Sequence, residues 1–198
     1  GRRKMKICVI QPPYSVNYAD SDALFAWELA ELDGCDASMD MIVLPEMCDI
    51  PCLASTRDEA MQSSERFTER LLSKVGETAK RCHAMVFVCA RSYEESADGR
   101  NTTYAFDREG NVVGHYFKQH PTNGEVFKRK MDCDYSYEFS NPTVIEIEGL
   151  RYCFLTCYDF YFYESFPNIA RQRPDIIIGC SHQRSDRQDA LSLMSRFL

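Results

Sequence analysis

A mixed α/β fold is the class this chain predicts, on three observations. Apolar runs of strand length alternate with amphipathic helical stretches. Two pairs of these runs lie close enough in sequence to form antiparallel hairpins, and one run is apolar on both faces. Helical crossovers imply parallel pairing and hairpins imply antiparallel pairing, so the sheet is expected to be mixed rather than purely doubly wound.

The elements follow in order. Residues 5–11 form a first strand closed by Pro12 and Pro13, and 19–32 have helical spacing, with Asp20 or Ser21 as cap and Gly34 beyond the end. Residues 41–44 are a short buried strand stopped by Pro45. The stretch 57–82 is a long amphipathic helix whose core stripe is Phe67, Leu71, Leu72, Val75 and Ala79. Residues 84–91 form a third strand, apolar from Ala84 to Ala90 and continuous enough in hydrophobicity to be buried on both faces. Strands 101–106 and 111–118 join through Asp107-Arg108-Glu109-Gly110, a compact hairpin signal. The polar, tyrosine-dotted stretch 119–141 is long for a connection, and such loops are functional or mobile. A second hairpin pairs 143–147 with 151–156 through Glu148-Gly149. Residues 165–172 form a helix ended by Arg173-Pro174, 175–179 form another buried strand, and 186–198 begin a last helix. No repeat or linker interrupts the chain, so residues 1–198 read as a single domain.

Composition narrows the function. A chain of 198 residues can build one sizeable core, and 44% apolar with 27% charged residues is ordinary for a soluble globular protein. A net charge of -7 argues against nucleic acid or an anionic membrane surface as partner, because both reward a basic face. No apolar stretch approaches the roughly 18 residues that span a bilayer. Gly1-Arg2-Arg3-Lys4 leads into a strand-like run rather than a signal-peptide core, and Gly1, with no initiator Met, reads as a cloning remnant. Ten cysteines without a signal sequence point to free thiols in a reducing cytoplasm rather than to a disulfide framework. Cys48/Cys52 and Cys153/Cys157 have three intervening residues, unlike zinc knuckles, and His83, His115, His120 and His182 are dispersed, so no metal is expected.

Three strand ends carry one reactive side chain each: Glu46 after Ile42-Val43-Leu44-Pro45, Lys118 after Val112–Phe117, and Cys157 after Arg151-Tyr152-Cys153-Phe154-Leu155-Thr156. Alone, each has a bland reading as a loop acid, an edge-strand lysine or a packed thiol. Together they fit nucleophilic catalysis. A thiol needs a base to give up its proton, a Glu can take that proton and later activate water, and a Lys can hold charge on a tetrahedral intermediate. His115 and His120 flank Lys118 without a stronger local context.

Leu44-Pro45-Glu46, Tyr116-Phe117-Lys118-Gln119-His120 and Cys157-Tyr158-Asp159 resemble, in order, spacing and strand context, the signature blocks of the nitrilase superfamily of carbon–nitrogen hydrolases. Ile7-Cys8-Val9-Ile10-Gln11-Pro12-Pro13 and Arg173-Pro174-Asp175-Ile176-Ile177-Ile178 extend the likeness over nearly the whole chain. The resemblance implies a four-layer αββα sandwich, here incomplete at its C-terminus because further strands and a tail usually follow, which would leave one sheet edge unpaired. It implies Glu46 as general base, Lys118 as stabilising cation and Cys157 as nucleophile, with no cofactor. It also implies a second glutamate, Glu125 or its rival Glu138, and an oxyanion-binding N–H at Tyr158. Asp159 stays open between a site role and a turn cap. Tyr161 stands where the family commonly has Arg, and Tyr163 where it has Pro, so the aromatic cluster after Cys157 either shapes an apolar pocket or packs as core; His182 borders the substrate side. The implied activity is hydrolysis of a small amide, carbamoyl compound or nitrile through a cysteine thioester, amidase before nitrilase. The implied assembly is a homodimer or higher homo-oligomer through residues 165–172. Two other classes are weighed: a catalytically silent relative used for binding or oligomerisation, which would tend to lose a triad member, and a thiol sensor, which would oxidise at Cys157 without turnover.

Overall fold

The computed structural model describes residues 4–133 and 142–182 of the chain; Glu138 and the expected helix 186–198 lie outside the described residues. Among the described residues, eight strands form two sheets. The first has the order β1 (Ile7–Val9), β2 (Met41–Val43), β3 (Met85–Ser92), β4 (Arg100–Phe106), β5 (Val112–Phe117). Its β1–β2 and β2–β3 pairs are parallel and its β3–β4 and β4–β5 pairs antiparallel, the mixed sheet expected from crossovers followed by a hairpin. The second sheet sets β7 (Leu150–Thr156) between antiparallel β6 (Ile145–Ile147) and parallel β8 (Ile176–Cys180). Among the described residues, the far edge of β8 carries no strand.

Side-chain alternation builds four layers from these sheets. Along β3, Val86, Val88 and Ala90 join a core with Phe25 and Leu32 of helix α1 (Ser21–Gly34) and with Phe67, Leu71, Val75 and Ala79 of helix α2 (Arg57–Cys82). The intervening Met85, Phe87 and Cys89 meet Tyr152, Phe154, Ile178 and Cys180 of the second sheet. That sheet's opposite face, Cys153 and Leu155, packs on Ile169 of helix α3 (Ser165–Arg171). Every residue of β3 is therefore buried, each large apolar side chain contributing about 1.5–3 kcal/mol. Gly114 of β5 lets the sheets close: a Cβ there would stand 2.7 Å from Ile145 Cδ1.

Boundaries shifted where local hydrogen bonding outweighed pattern. A 3₁₀ turn, Tyr18–Asp20, precedes α1, and Asn17 caps that turn by accepting from the Ala19 N–H; Asp20 stands at the N-cap of α1, as expected, but makes no side-chain cap hydrogen bond. The Ser21 hydroxyl instead donates to the Tyr18 carbonyl. Thr56 caps α2 through the Glu59 N–H, and the chain leaves that helix in the left-handed region at His83. Within the long polar stretch, Gly124–Lys128 closes a single π-type turn. A further 3₁₀ turn, Cys157–Tyr161, begins where β7 stops.

Candidate active site

The C-terminal ends of β2, β5 and β7 open on one cavity of about 560 Å³, lined among others by Glu46, Asn101, Lys118, Glu125, Cys157 and His182. Each polar group is delivered by a short break after an apolar strand. After β2 the chain turns at Pro45, with Met47 in the left-handed region. The turn is tied to β3 by the Leu44 and Cys48 N–H groups donating to Phe87 and Cys89 carbonyls. Lys118 is anchored by its own N–H on the Asn101 carbonyl at 2.9 Å.

The Lys118 ammonium is completely buried and donates to Glu46 Oε1 at 2.8 Å and Glu125 Oε1 at 2.5 Å. Burial by itself would depress this amine, but the two carboxylates more than offset it and hold Lys118 above its ordinary value. Burial would raise Glu125, yet Lys118, Asn101 and the Thr122 N–H lower it on balance. Asn101 is the crossbar: its Nδ2 donates to Glu46 Oε1 at 2.9 Å and to Glu125 Oε2 at 3.1 Å. Its Oδ1 accepts from the Cys89 thiol at 3.0 Å. Two carboxylates therefore neutralise the ammonium and leave the buried cluster one net negative charge.

Cys157 sits at φ 43°, a left-handed conformation that costs a side-chain-bearing residue about 1–3 kcal/mol and holds its thiol out of the strand into the cavity. Its sulfur lies 3.8 Å from the His182 carbonyl. Burial, with Glu46 next, pushes the thiol up to about 11, against the opposing pull of Lys118 and the neighbouring Ser181 hydroxyl. Lys118 therefore does not create a resting thiolate, because its charge is already spent on Glu46 and Glu125.

The remaining sequence candidates separate. His182 contributes its main chain, donating its N–H to Glu46 Oε2 at 3.2 Å while its carbonyl faces Cys157, and its ring packs on Tyr14 at 3.7 Å between centroids. Tyr161, half exposed, lines the cavity. The Tyr158 ring does not; it packs on Tyr161 and Phe162. Asp159 is fully buried and away from the cavity wall. Its Oδ2 accepts from the Thr156 N–H at 2.8 Å and the Tyr116 hydroxyl at 2.5 Å, and its Oδ1 accepts from the His120 N–H at 2.8 Å. In this position Asp159 serves as a cap, clamping the nucleophile turn to the segment after β5. His115 pairs loosely with Glu95 and His120 stacks on Phe162, both outside the cavity. Sequence reasoning missed Asn101, whose only signal is an amide entering a buried strand, and Ser181. Among the described residues no cluster of three or more side chains suits a metal, and no helix is long and apolar enough to cross a membrane.

The chain is similar to known proteins in sequence and in fold. The family model described as Carbon-nitrogen hydrolase matches residues 6–197. A 2-oxoglutaramate amidase of Bacillus subtilis (strain 168) is 27% identical over 125 residues, which is 63% of this chain and 45% of that relative's length. An amidase from Nesterenkonia sp. superposes with a TM-score of 0.70 at 15% identity, over 96% of this chain and 70% of that one. A carbon–nitrogen hydrolase from Helicobacter pylori G27 gives 0.71 at 14%, over 97% and 67%. At these identities the structural likeness speaks for the fold.

Proposed function

The chain belongs to the carbon–nitrogen hydrolase family, and on that premise we propose that it hydrolyses a small amide through a thioester on Cys157, with Glu46 as proton carrier and Lys118 as the cation facing the developing negative charge. The observation that carries this reading is the hydrogen-bonded Glu46–Lys118–Glu125–Asn101 cluster sharing one cavity with a thiol on a strained turn. A cavity of about 560 Å³ is of the size that holds small ligands.

The resting thiol is protonated, so its proton leaves as attack develops rather than before. Cys157 Sγ adds to the amide carbon while Glu46 takes the thiol proton. The oxygen of the tetrahedral intermediate is met by Lys118 Nζ and by the Tyr158 main-chain N–H, which lies in the first turn of a helical segment, where such groups lack internal partners. Glu46 passes the proton to the leaving nitrogen, ammonia departs, and the acyl group stays on sulfur. Water then gives a proton to Glu46 and attacks the thioester, the carbon–sulfur bond breaks, and Glu46 returns the proton to Cys157. Glu125 positions Lys118 and requires no proton of its own. No step calls for a cofactor.

The substrate follows less directly. The name of the Bacillus relative points to an amide carrying a carboxylate, and Lys128 and Arg129 at the cavity wall give such a tail cationic neighbours. Carbamoyl compounds and nitriles offer Cys157 the same electrophilic carbon. Ten free thiols fit a reducing cytoplasm, and assembly as a homo-oligomer through α3 completes the proposal. The test is ammonia release from a panel of aliphatic amides, amides bearing a carboxylate, carbamoyl compounds and nitriles, beside Cys157→Ala. Turnover by the wild type alone supports the reading; no release from any member of the panel defeats it.

A further inference from the structure

Helix α1 buries four residues on one stripe, Ser21, Phe25, Glu28 and Leu32, and the third of them is a carboxylic acid in the apolar core. Glu28 is 1% exposed and its Oε2 has no hydrogen-bond partner among the described residues. Burial, with Asp49 adding to it, pushes the Glu28 carboxyl well above the usual carboxylate range, which keeps it a neutral acid able to donate as well as accept. Leaving such a group unsatisfied is costly, and a native protein that keeps one there has a reason for it.

The reason lies on its far side. Glu28 lines a second, smaller chamber of about 170 Å³ whose wall also includes Glu46, Cys48, Ser181 and His182. Ser181 Oγ likewise has no well-aligned partner among the described residues. The chamber adjoins the main cavity, the two sharing Tyr14, Glu46, Met47, Ile50 and His182. It is polar, and since one water needs about 10–15 Å³ of such space, it has room for several.

Acceptor counting on Glu46 links the chamber to the reaction. Its Oε1 receives Lys118 and Asn101, which fills that oxygen, and its Oε2 receives the His182 N–H. On the acyl-enzyme reading, the one acceptor position left is the one that takes the Cys157 thiol proton during acylation. Acylation removes the thiol proton and frees that position for water.

We infer that this chamber is the store of hydrolytic water, and that Glu28 is a positioning residue whose neutral carboxyl anchors the water handed to Glu46 once Cys157 is acylated. The inference rests on the acyl-enzyme reading above. In the step it serves, water oxygen bonds to the thioester carbon, the carbon–sulfur bond breaks, one water proton passes through Glu46 to sulfur, and the carboxylic acid product ionises to solvent. Amide and ammonia use the main cavity, so acylation does not depend on Glu28.

Glu28→Leu separates the two half-reactions. With butyramide as substrate and acid quenching, intact mass spectrometry of the variant should show the acyl adduct as the main species. Steady-state ammonia release should fall about tenfold, the size of one lost water-mediated hydrogen bond, while the first turnover is unchanged. Hydroxylamine, a nucleophile that needs no general base, should restore turnover as hydroxamate. Glu28→Gln, a neutral head with both hydrogen-bonding senses, should rescue deacylation. Should the leucine variant not fold, Glu28→Met takes its place, and failure of both to fold overturns the inference. So does an unchanged adduct level, or a variant that loses the first turnover along with the rest. A wild type that releases no ammonia from any amide instead defeats the acyl-enzyme reading beneath it.

Discussion

Lys118→Met removes the charge that two buried carboxylates share while keeping most of the side-chain length. Glu46 and Glu125 are 8% and 4% exposed, and each receives the ammonium within 2.8 Å. Breaking a buried pair by deleting one partner costs about 3–5 kcal/mol, because the surviving charge has no compensation. Here two like charges survive, still bridged by Asn101, so one of them takes up a proton. That reverses the pH dependence. In the wild type Glu125 is lowered, so its contribution is complete above the unfolded carboxylate range and is lost as pH falls through its folded value. In Lys118→Met the protonated carboxyl is raised above its unfolded value, so stability is highest at low pH and declines as pH rises. The stability gap between the two proteins should therefore widen with pH, by at most about 1.4 kcal/mol per unit, from about pH 5 toward pH 8. Urea unfolding at several pH values measures it. A gap below about 1 kcal/mol, or one that narrows as pH rises, would refute the shared-charge argument.

Three further outcomes test other parts of the structure. Because burial and Glu46 push the Cys157 thiol up to about 11, its alkylation by iodoacetamide should accelerate about tenfold per pH unit between roughly pH 7 and pH 9, read at that peptide by mass spectrometry; a rate flat over this range would mean a preformed thiolate. Asp159→Asn turns an amide toward main-chain N–H groups at Thr156 and His120 that cannot become acceptors, and should cost about 2–3 kcal/mol in urea unfolding, with a loss under about 0.5 kcal/mol counting against the clamp. Gly114→Ala drives a Cβ to 2.7 Å from Ile145 Cδ1 and should cost about 1–3 kcal/mol, whereas a neutral change would mean the sheets are not in contact there.

The parts of this molecule that were legible in its sequence are those whose cause is local. Glu46, Lys118 and Cys157 each follow an apolar run, and a strand in an α/β sheet ends by presenting the next residue at the sheet's rim. β3 was legible because burial on both faces leaves its first six residues, Met85 to Ala90, without a polar position. The four-layer arrangement came only through the family likeness, since no periodicity says that two sheets will stack. Asn101 was hidden because its importance arises from register: pairing with Arg91 turns an ordinary strand-opening amide toward both glutamates. The contribution of His182 is carried by its main chain, which has no side-chain signature. At α1 Asp20 takes the N-cap position that its spacing suggested, but its carboxylate accepts from the Ser15 hydroxyl instead of a helix N–H, and the 3₁₀ turn before it is capped by Asn17. Glu28 sat on the apolar stripe of that helix, where its spacing marks it as core and only the chamber behind it gives the acid a purpose.

The central claim is that Cys157 carries the acyl group, and trapping it is the most direct measurement. The wild type is mixed with butyramide, quenched in acid within the first turnovers, digested, and read by peptide mass spectrometry. A butyryl group on the peptide containing Cys157, absent from the other cysteine peptides and from Cys157→Ala, is the predicted result. Ammonia release with no acyl group on Cys157, or with equal labelling of Cys8 and Cys133, would contradict it.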